Sequence, residues 1–160
     1  MTQQQTETSV RKTVTVAASQ QRAFEVFTAG HGTWWPKEHH IGTAEMATAT
    51  VEPKVGGRWY ETGTDGTECE WGQVLVWEPP NRVVTSWHIQ ADWTYDPDPA
   101  RGSEVEVRFI AEAPDRTRVE LEHRHFERHG AGAETVARSV ANQHGWGYVL
   151  GHYLAGVEQA

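Results

Sequence analysis

The 160-residue chain holds one cysteine, Cys69, which excludes an intrachain disulfide and fits a reducing compartment. Basic residues are few. The 14 Lys and Arg stand against 22 Asp and Glu, and the resulting net charge of -8 disfavours phosphate backbones and anionic membranes as partners. No apolar run approaches membrane-spanning length, and no basic segment followed by an apolar core opens the chain. A cytoplasmic protein with neither a nucleic-acid nor a membrane partner is expected. Residues 1–9 lack hydrophobic periodicity and are expected to form a disordered tail. Residues 10–160 then form a single domain, long enough to bury roughly 70% of its unfolded surface. Chemical signatures are also missing. There is no phosphate loop, dinucleotide fingerprint or zinc spacing, Ser86 and Ser103 lack a nucleophile elbow, and no Cys-His-Asn pattern surrounds Cys69.

What the chain has in excess is tryptophan. Eight indoles bring large apolar faces, each with a donor that needs a partner, and suit either a bulky core or an aromatic pocket. The stretch from about Asn142 to Glu158 reads as an amphipathic helix. Trp146, Val149, Leu150, Tyr153, Leu154 and Val157 fall on one stripe at helical spacing, and the stripe must be buried. Its glycines weaken it, because each costs roughly 0.8–1 kcal/mol against alanine in a helix interior. Gly147 and Gly151 lie one turn apart on its flank, where tight helix-on-sheet packing or a ligand would explain them.

Most of the remaining chain alternates. Val10–Val16 reads as a first strand, and Ser19 as the N-cap of a short helix to about Thr28 that buries Ala23, Phe24 and Phe27. Trp34-Trp35-Pro36 follows as a turn or one-turn helix. Ala44–Val51 is a weak, edge-like strand, Arg58–Thr62 a strand with aromatics on opposite faces, and Asp65-Gly66 a hairpin turn into Thr67–Trp77. Arg82–Ile89 places Val83, Thr85 and Trp87 opposite Val84, Ser86 and His88. Gln90–Ser103 is a long loop with Trp93 and Tyr95 needing cover. Glu104–Ala111 and Thr117–His123 form a hairpin, and a further helical turn or two over Glu134–Val140 leads into the final helix. The order argues an α+β fold in which about six to seven antiparallel strands wrap the C-terminal helix.

Several stretches carry a resemblance: Thr33-Trp34-Trp35-Pro36, Val55-Gly56-Gly57-Arg58-Trp59, Gly72-Gln73-Val74-Leu75 and Glu78-Pro79-Pro80-Asn81 running on to Trp87. The segments Val105–Phe109 and Thr117–Leu121 and the late Gly145-Trp146 complete it. In this order they resemble the Hsp90-ATPase-activator-homologue branch of the START-like, or Bet v 1-like, helix-grip (SRPBCC) proteins. The resemblance runs from about Val10 to Val157. It implies a curved sheet gripping the last helix, with a cavity between them that often takes apolar small molecules. Members include hydrophobic-ligand binders, cyclases, hydrolases and the co-chaperone domain. The loop 91–102 is longer than the turn the resemblance implies, and could cover the cavity mouth or pack on a second subunit.

Candidate chemistry starts with histidine. His123 and His125 continue the side of Val119 and Leu121 and would project towards the cavity, with His129 following on the connection. A metal needs a further ligand that no spacing supplies, so neither a metal nor a cofactor is expected. His39-His40 beside Glu38 reads as an exposed loop, and Glu68 and Glu70 as a solvated strand face unless one carboxylate enters the cavity. Cys69, on the face of Trp71, reads as an inert buried thiol. The first expectation is binding of a small hydrophobic or aromatic molecule by Trp35, Trp59, Trp71, Trp87, Phe109, His123, Leu150 and Tyr153, with core closure by these side chains as the competing outcome. The second is a cyclase- or hydrolase-like enzyme with Glu70, His88 or His123 as acid or base. The third, from the resemblance alone, is a stress-related or chaperone-interacting module. An edge strand and a long aromatic loop would also fit a homodimer.

Overall fold

The computed structural model describes residues 9–159, the side chain of Gln159 excepted, so the expected tail lies outside the described residues but for Ser9. Alternation builds the sheet. In β7 (Arg116–Arg124) Thr117, Val119, Leu121 and His123 are buried while the intervening residues are not, so one face is core and the other is charged. It pairs antiparallel with β1 (Val10–Val16), Val14 opposite Val119, and with β6 (Ser103–Ala113), Phe109 opposite Val119. From β6 the sheet continues through β5 (Arg82–Trp87), β4 (Glu68–Glu78) and β3 (Arg58–Gly63) to β2 (Met46–Val51). The weak strand is thus the far edge, as its composition implied, and all seven strands form one curled antiparallel sheet.

Two bulges set the facing of β4. Trp71 is an extra residue between the Trp59–Gly72 and Tyr60–Glu70 pairs, and a second register shift falls between Val74 and Val76. Gly72 makes the first bulge feasible, because a Cβ there would lie 1.8 Å from the Ser86 carbonyl oxygen. The strand therefore turns Trp71 and Val74 inward, at odd and even positions alike.

Among the described residues four α-helices lie against the sheet. Ser19 caps α1 (Gln20–Phe27), its Oγ accepting from Arg22 N at 3.2 Å, and Ala23, Phe24, Val26 and Phe27 are its buried side. The one-turn α2 (His31–Trp34) follows, and α3 (Ala133–Ala141) precedes α4 (Trp146–Gln159). The stripe of α4 is confirmed: Trp146, Val149, Leu150, Tyr153 and Val157 are buried and Leu154 half-buried. Its start is corrected. The helix begins at Trp146 rather than Asn142, because Asn142 Oδ1 accepts from His144 N and its carbonyl from Gly145 N, closing a turn.

The flank glycines are corrected as well. Nothing lies within 4 Å of a Cβ on Gly151, and only Lys12 Cε approaches Gly147, so neither serves a close approach. Gly156 does, since a Cβ there would meet Trp34 Cβ at 2.8 Å. Under the helix, Phe24 and Phe27 pack edge-on to Phe109, Phe27 and Trp34 pack on Tyr153, and Tyr153 donates to Ala23 O at 2.7 Å. One end of the grip is therefore filled by aromatic side chains.

Candidate functional site

The other end is hollow. A cavity of about 420 Å³ lies beside the first turn of α4. Its walls are tryptophans from five separate places: Trp35 after α2, Trp71 on the bulge of β4, Trp87 at the end of β5, Trp146 opening α4, and Trp93 from the loop after β5. Trp35 and Trp71 are 5.0 Å apart and tilted by 40°, and Trp146 stands edge-on to Trp35 and Trp87 at 6.0 and 5.7 Å. Trp93 differs from the other four. It is 55% exposed and holds a positive φ of 66°, a backbone state that costs a bulky residue energy.

Three of the indole N–H groups are tied down. Trp35 donates to His39 O at 3.0 Å, Trp71 to Glu61 Oε1 at 2.8 Å, and Trp146 to His123 Nδ1 at 3.0 Å. These bonds fix the ring planes of the walls before any ligand arrives. The rim is polar, with Glu38, His39, His40, Asn142 and His144. His39 Nε2 donates to His144 O at 2.7 Å and so ties the segment after α2 to the turn before α4.

Behind Trp71 lies a carboxylate that sequence reasoning did not single out. Glu61 is 1% exposed, and its oxygens accept from Ile41 N at 2.7 Å, Gly42 N at 3.0 Å and Trp71 Nε1. Three donors satisfy a buried acceptor pair that would otherwise be costly. The Nδ1 of His40 is 3.8 Å from Glu61 Oε2. The signal for Glu61 was its position two residues from Trp59 on one strand face; for His40 there was none, since the pairing depends on tertiary approach.

Behind Trp146 lies a chain of hydrogen bonds whose direction follows from its ends. The indole donates to His123 Nδ1, so His123 carries its proton on Nε2 and donates to Ser103 Oγ at 2.7 Å. Ser103 Oγ donates to His129 Nε2 at 2.8 Å, and His129 Nδ1 donates to Gln90 Oε1 at 3.0 Å. Gln90 Nε2 ends the chain on the carbonyls of His88 and Arg101. Both imidazoles are neutral in this arrangement. Burial, reinforced by His129, holds His123 well below the usual histidine range, and burial together with Arg101 and His88 lowers His129 to about 4.

The expected site residues divide. Trp35, Trp71 and Trp87 line the cavity. Trp59 instead donates to His31 Nε2 at 3.1 Å within the core, and Phe109, Leu150 and Tyr153 belong to the filled end. His123 is fully buried behind Trp146 and Trp87. His88 is buried under the long loop, its Nδ1 bonded to Asp96 O, with its pKa lowered chiefly by burial. Glu70 is half-exposed, taking the Tyr95 hydroxyl at 3.2 Å beside Arg58. None of these three opens on the cavity. His125 is a further correction: it leaves the strand with a φ of 67° and faces Glu127 at 3.5 Å on the surface. Cys69 is half-buried rather than enclosed, with its thiol pKa raised by burial and by Glu61 and Asp65. Among the described residues no group of three or more His, Cys, Asp or Glu is placed to hold a metal, and no helix is long and apolar enough to cross a membrane.

Comparison with known proteins agrees with this geometry at the level of the fold. The chain is 42% identical to a solved structure described as an anthrahydroquino-γ-pyrone synthase, Txn09, complexed with SUM; 92% of this chain and 96% of that one are covered, with a TM-score of 0.65. It is 30% identical to the self-sacrificing resistance protein CalC from Micromonospora echinospora, over 94% of each chain, with a TM-score of 0.68. Protein NE0264 from Nitrosomonas europaea, at 14% identity, 94% of each chain and a TM-score of 0.64, shares the fold. No curated protein matches the chain. The sequence pattern described as Activator of Hsp90 ATPase homolog 1-like protein matches residues 17–157, and the chain belongs to that family.

Proposed function

We propose that the chain captures a planar, oxygenated polycyclic aromatic molecule in the tryptophan cavity. The observation that carries this is the wall itself: five indoles converge on one hollow end of the grip, three of them locked by their N–H bonds. Indole faces attract flat π-systems by dispersion and quadrupole terms, and pre-fixed planes reduce the ordering cost of binding. The volume of about 420 Å³ falls in the range of drug-sized ligand sites. On the rim His39, His144 and Asn142 offer partners for phenol and quinone oxygens. The relative at 42% identity supports the same ligand class, because a synthase of an anthrahydroquino-γ-pyrone handles a fused aromatic product. The synthase and the self-sacrificing resistance protein are described by different roles, so kinship supports the ligand class through the synthase alone and neither role for this chain.

The test is a fluorescence titration with 1,2-dihydroxyanthraquinone as the probe. Saturable quenching of tryptophan emission at one probe per chain is expected, with no competition from a saturated fatty acid. Absence of quenching, or equal competition by the fatty acid, contradicts the reading.

A further inference from the structure

We propose that His40 is the proton-transfer residue of the cavity, with Glu61 as the positioning residue behind it; this rests on the reading that the cavity takes a planar aromatic ligand. Of the buried histidines, His31, His123 and His129 have both ring nitrogens engaged inside the protein, and His88, held through Nδ1 on Asp96 O, lies under the long loop away from the cavity. His40 does not. It lines the cavity, its side chain is 25% exposed, and its Nδ1 lies 2.9 Å from Gly42 O, which can only accept. That contact places the ring proton on Nδ1 and leaves the lone pair on Nε2, which has no partner among the described residues.

The Glu61 carboxylate stands on the Nδ1 side of the ring, 3.8 Å away, fixed by Ile41 N, Gly42 N and Trp71 Nε1. An imidazolium formed by proton uptake at Nε2 would be stabilised there by a charge that needs no rearrangement. Gly42 is part of the device, since a Cβ on it would lie 3.0 Å from Glu61 Oε2 and 3.1 Å from Cys69 Sγ. Of the other rim histidines, His144 is exposed and His39 engages its Nε2 with His144 O, and the neighbouring carboxylate, Glu38, is exposed and takes the Tyr148 hydroxyl. They lack a buried carboxylate behind the ring.

The chemistry this arrangement supports is an internal proton transfer in a phenolic or enolic aromatic ligand. Nε2 takes the proton of an O–H group, and the oxygen bonds to a carbon conjugated to a carbonyl. The π pair of that carbon moves to its neighbour, which receives the proton back from the imidazolium. Atoms and electrons balance as an isomerising ring closure, with no co-reactant. Besides Glu61, the titratable groups that share the cavity with His40 are Glu38 and His39 from its own segment and His144 across the rim, and Cys69 from β4 stands against Gly42.

The assignment is tested with 5-nitrobenzisoxazole, a flat probe that opens when a base removes its ring C–H proton. That C–H pair becomes part of the nitrile, the N–O bond breaks, and its electrons stay on the oxygen as a coloured phenolate in the same molecule; the base then returns its proton to water. Expected are catalysis by the wild type beyond free imidazole, at least a tenfold loss in His40→Gln with dihydroxyanthraquinone binding kept, and retention in His152→Gln, a histidine of α4 that packs on Tyr148 and does not line the cavity. Glu61→Gln, checked for folding by thermal melt, should lower kcat several-fold with KM for the probe unchanged, because the carboxylate stabilises the imidazolium only once the proton has been taken up. If dihydroxyanthraquinone binds but turnover is absent or survives in His40→Gln, the assignment falls and the ligand reading stands. If the wild type binds no aromatic probe, both fall.

Discussion

The indole N–H of Trp146 donates to Nδ1 of His123 at 3.0 Å, and that bond couples the cavity wall to the buried interior of the sheet. Every further link, through Ser103, His129 and Gln90 to the carbonyls of His88 and Arg101, depends on His123 being neutral. A second pair repeats the device: Trp59 donates to His31 Nε2 while His31 Nδ1 donates to Phe27 O at 2.9 Å. Burial lowers His31 to about 4 despite that backbone bond.

Acid should therefore unfold the protein through its histidines first. The folded pKa values of His31, His123 and His129 are depressed, so the unfolded chain takes up protons below about 6.5 while the fold does not. Stability is full above that pH and falls as pH drops towards about 4. For His31 alone the loss is about 3 kcal/mol, taking 1.36 kcal/mol per pKa unit. Glu106 acts later: burial works to raise its pKa, but Arg82, Arg124 and Arg108 outweigh it and hold the group at about 2, so its contribution is lost below the ordinary carboxylate range. Urea unfolding at pH 7, 5.5 and 4.5 should show the early decline; equal midpoints at all three would contradict it.

His123→Phe keeps a flat aromatic ring, a slightly larger one, and removes both nitrogens. The Trp146 indole then loses its acceptor while Ser103 keeps His129, and a cost of about 1–3 kcal/mol is expected, that of one stranded buried polar group. A denaturation midpoint unchanged from wild type would show that the chain of bonds contributes nothing.

Two helical glycines of α4 should respond in opposite directions. Gly151→Ala puts a methyl into open space and should stabilise by about 0.8–1 kcal/mol, whereas Gly156→Ala drives a methyl to within 2.8 Å of Trp34 Cβ and should destabilise. Thermal melting of the pair decides this, and a shared sign would refute the packing described for the helix.

Binding and stability should separate along the grip. Trp87→Ala removes a cavity wall and should weaken dihydroxyanthraquinone binding about tenfold or more, the cost of a buried aromatic anchor. Phe109→Leu, at the filled end, should cost stability by about 1 kcal/mol and leave affinity unchanged. Affinity lost equally in both would place the ligand elsewhere.

Period-2 and period-3.6 patterns were enough for the seven strands, for α1 and for the buried stripe of α4, because one-sided burial writes itself into alternation. They also brought Trp35, Trp71 and Trp87 forward as wall residues. Facing failed where the backbone departed from regularity: the left-handed turn at His125 sends its ring outward, and the bulge at Trp71 changes which positions of β4 point in. Phe109, Leu150 and Tyr153 had the right pattern for a cavity wall, yet pattern distinguishes inside from outside and not filled from hollow. His40 with Glu61, and the chain from Trp146 to Gln90, were illegible because their members come from distant segments.

The most direct measurement is the indole region of a two-dimensional 1H–15N spectrum, recorded as dihydroxyanthraquinone is added. With eight tryptophans assigned by single replacement, the N–H signals of Trp35, Trp71, Trp87, Trp93 and Trp146 should shift together and saturate at one equivalent. Those of Trp34, Trp59 and Trp77 should stay in place. Shifts confined to Trp77, at the opposite groove between α1 and β4, or spread evenly over all eight, would contradict a ligand site at the hollow end of the grip.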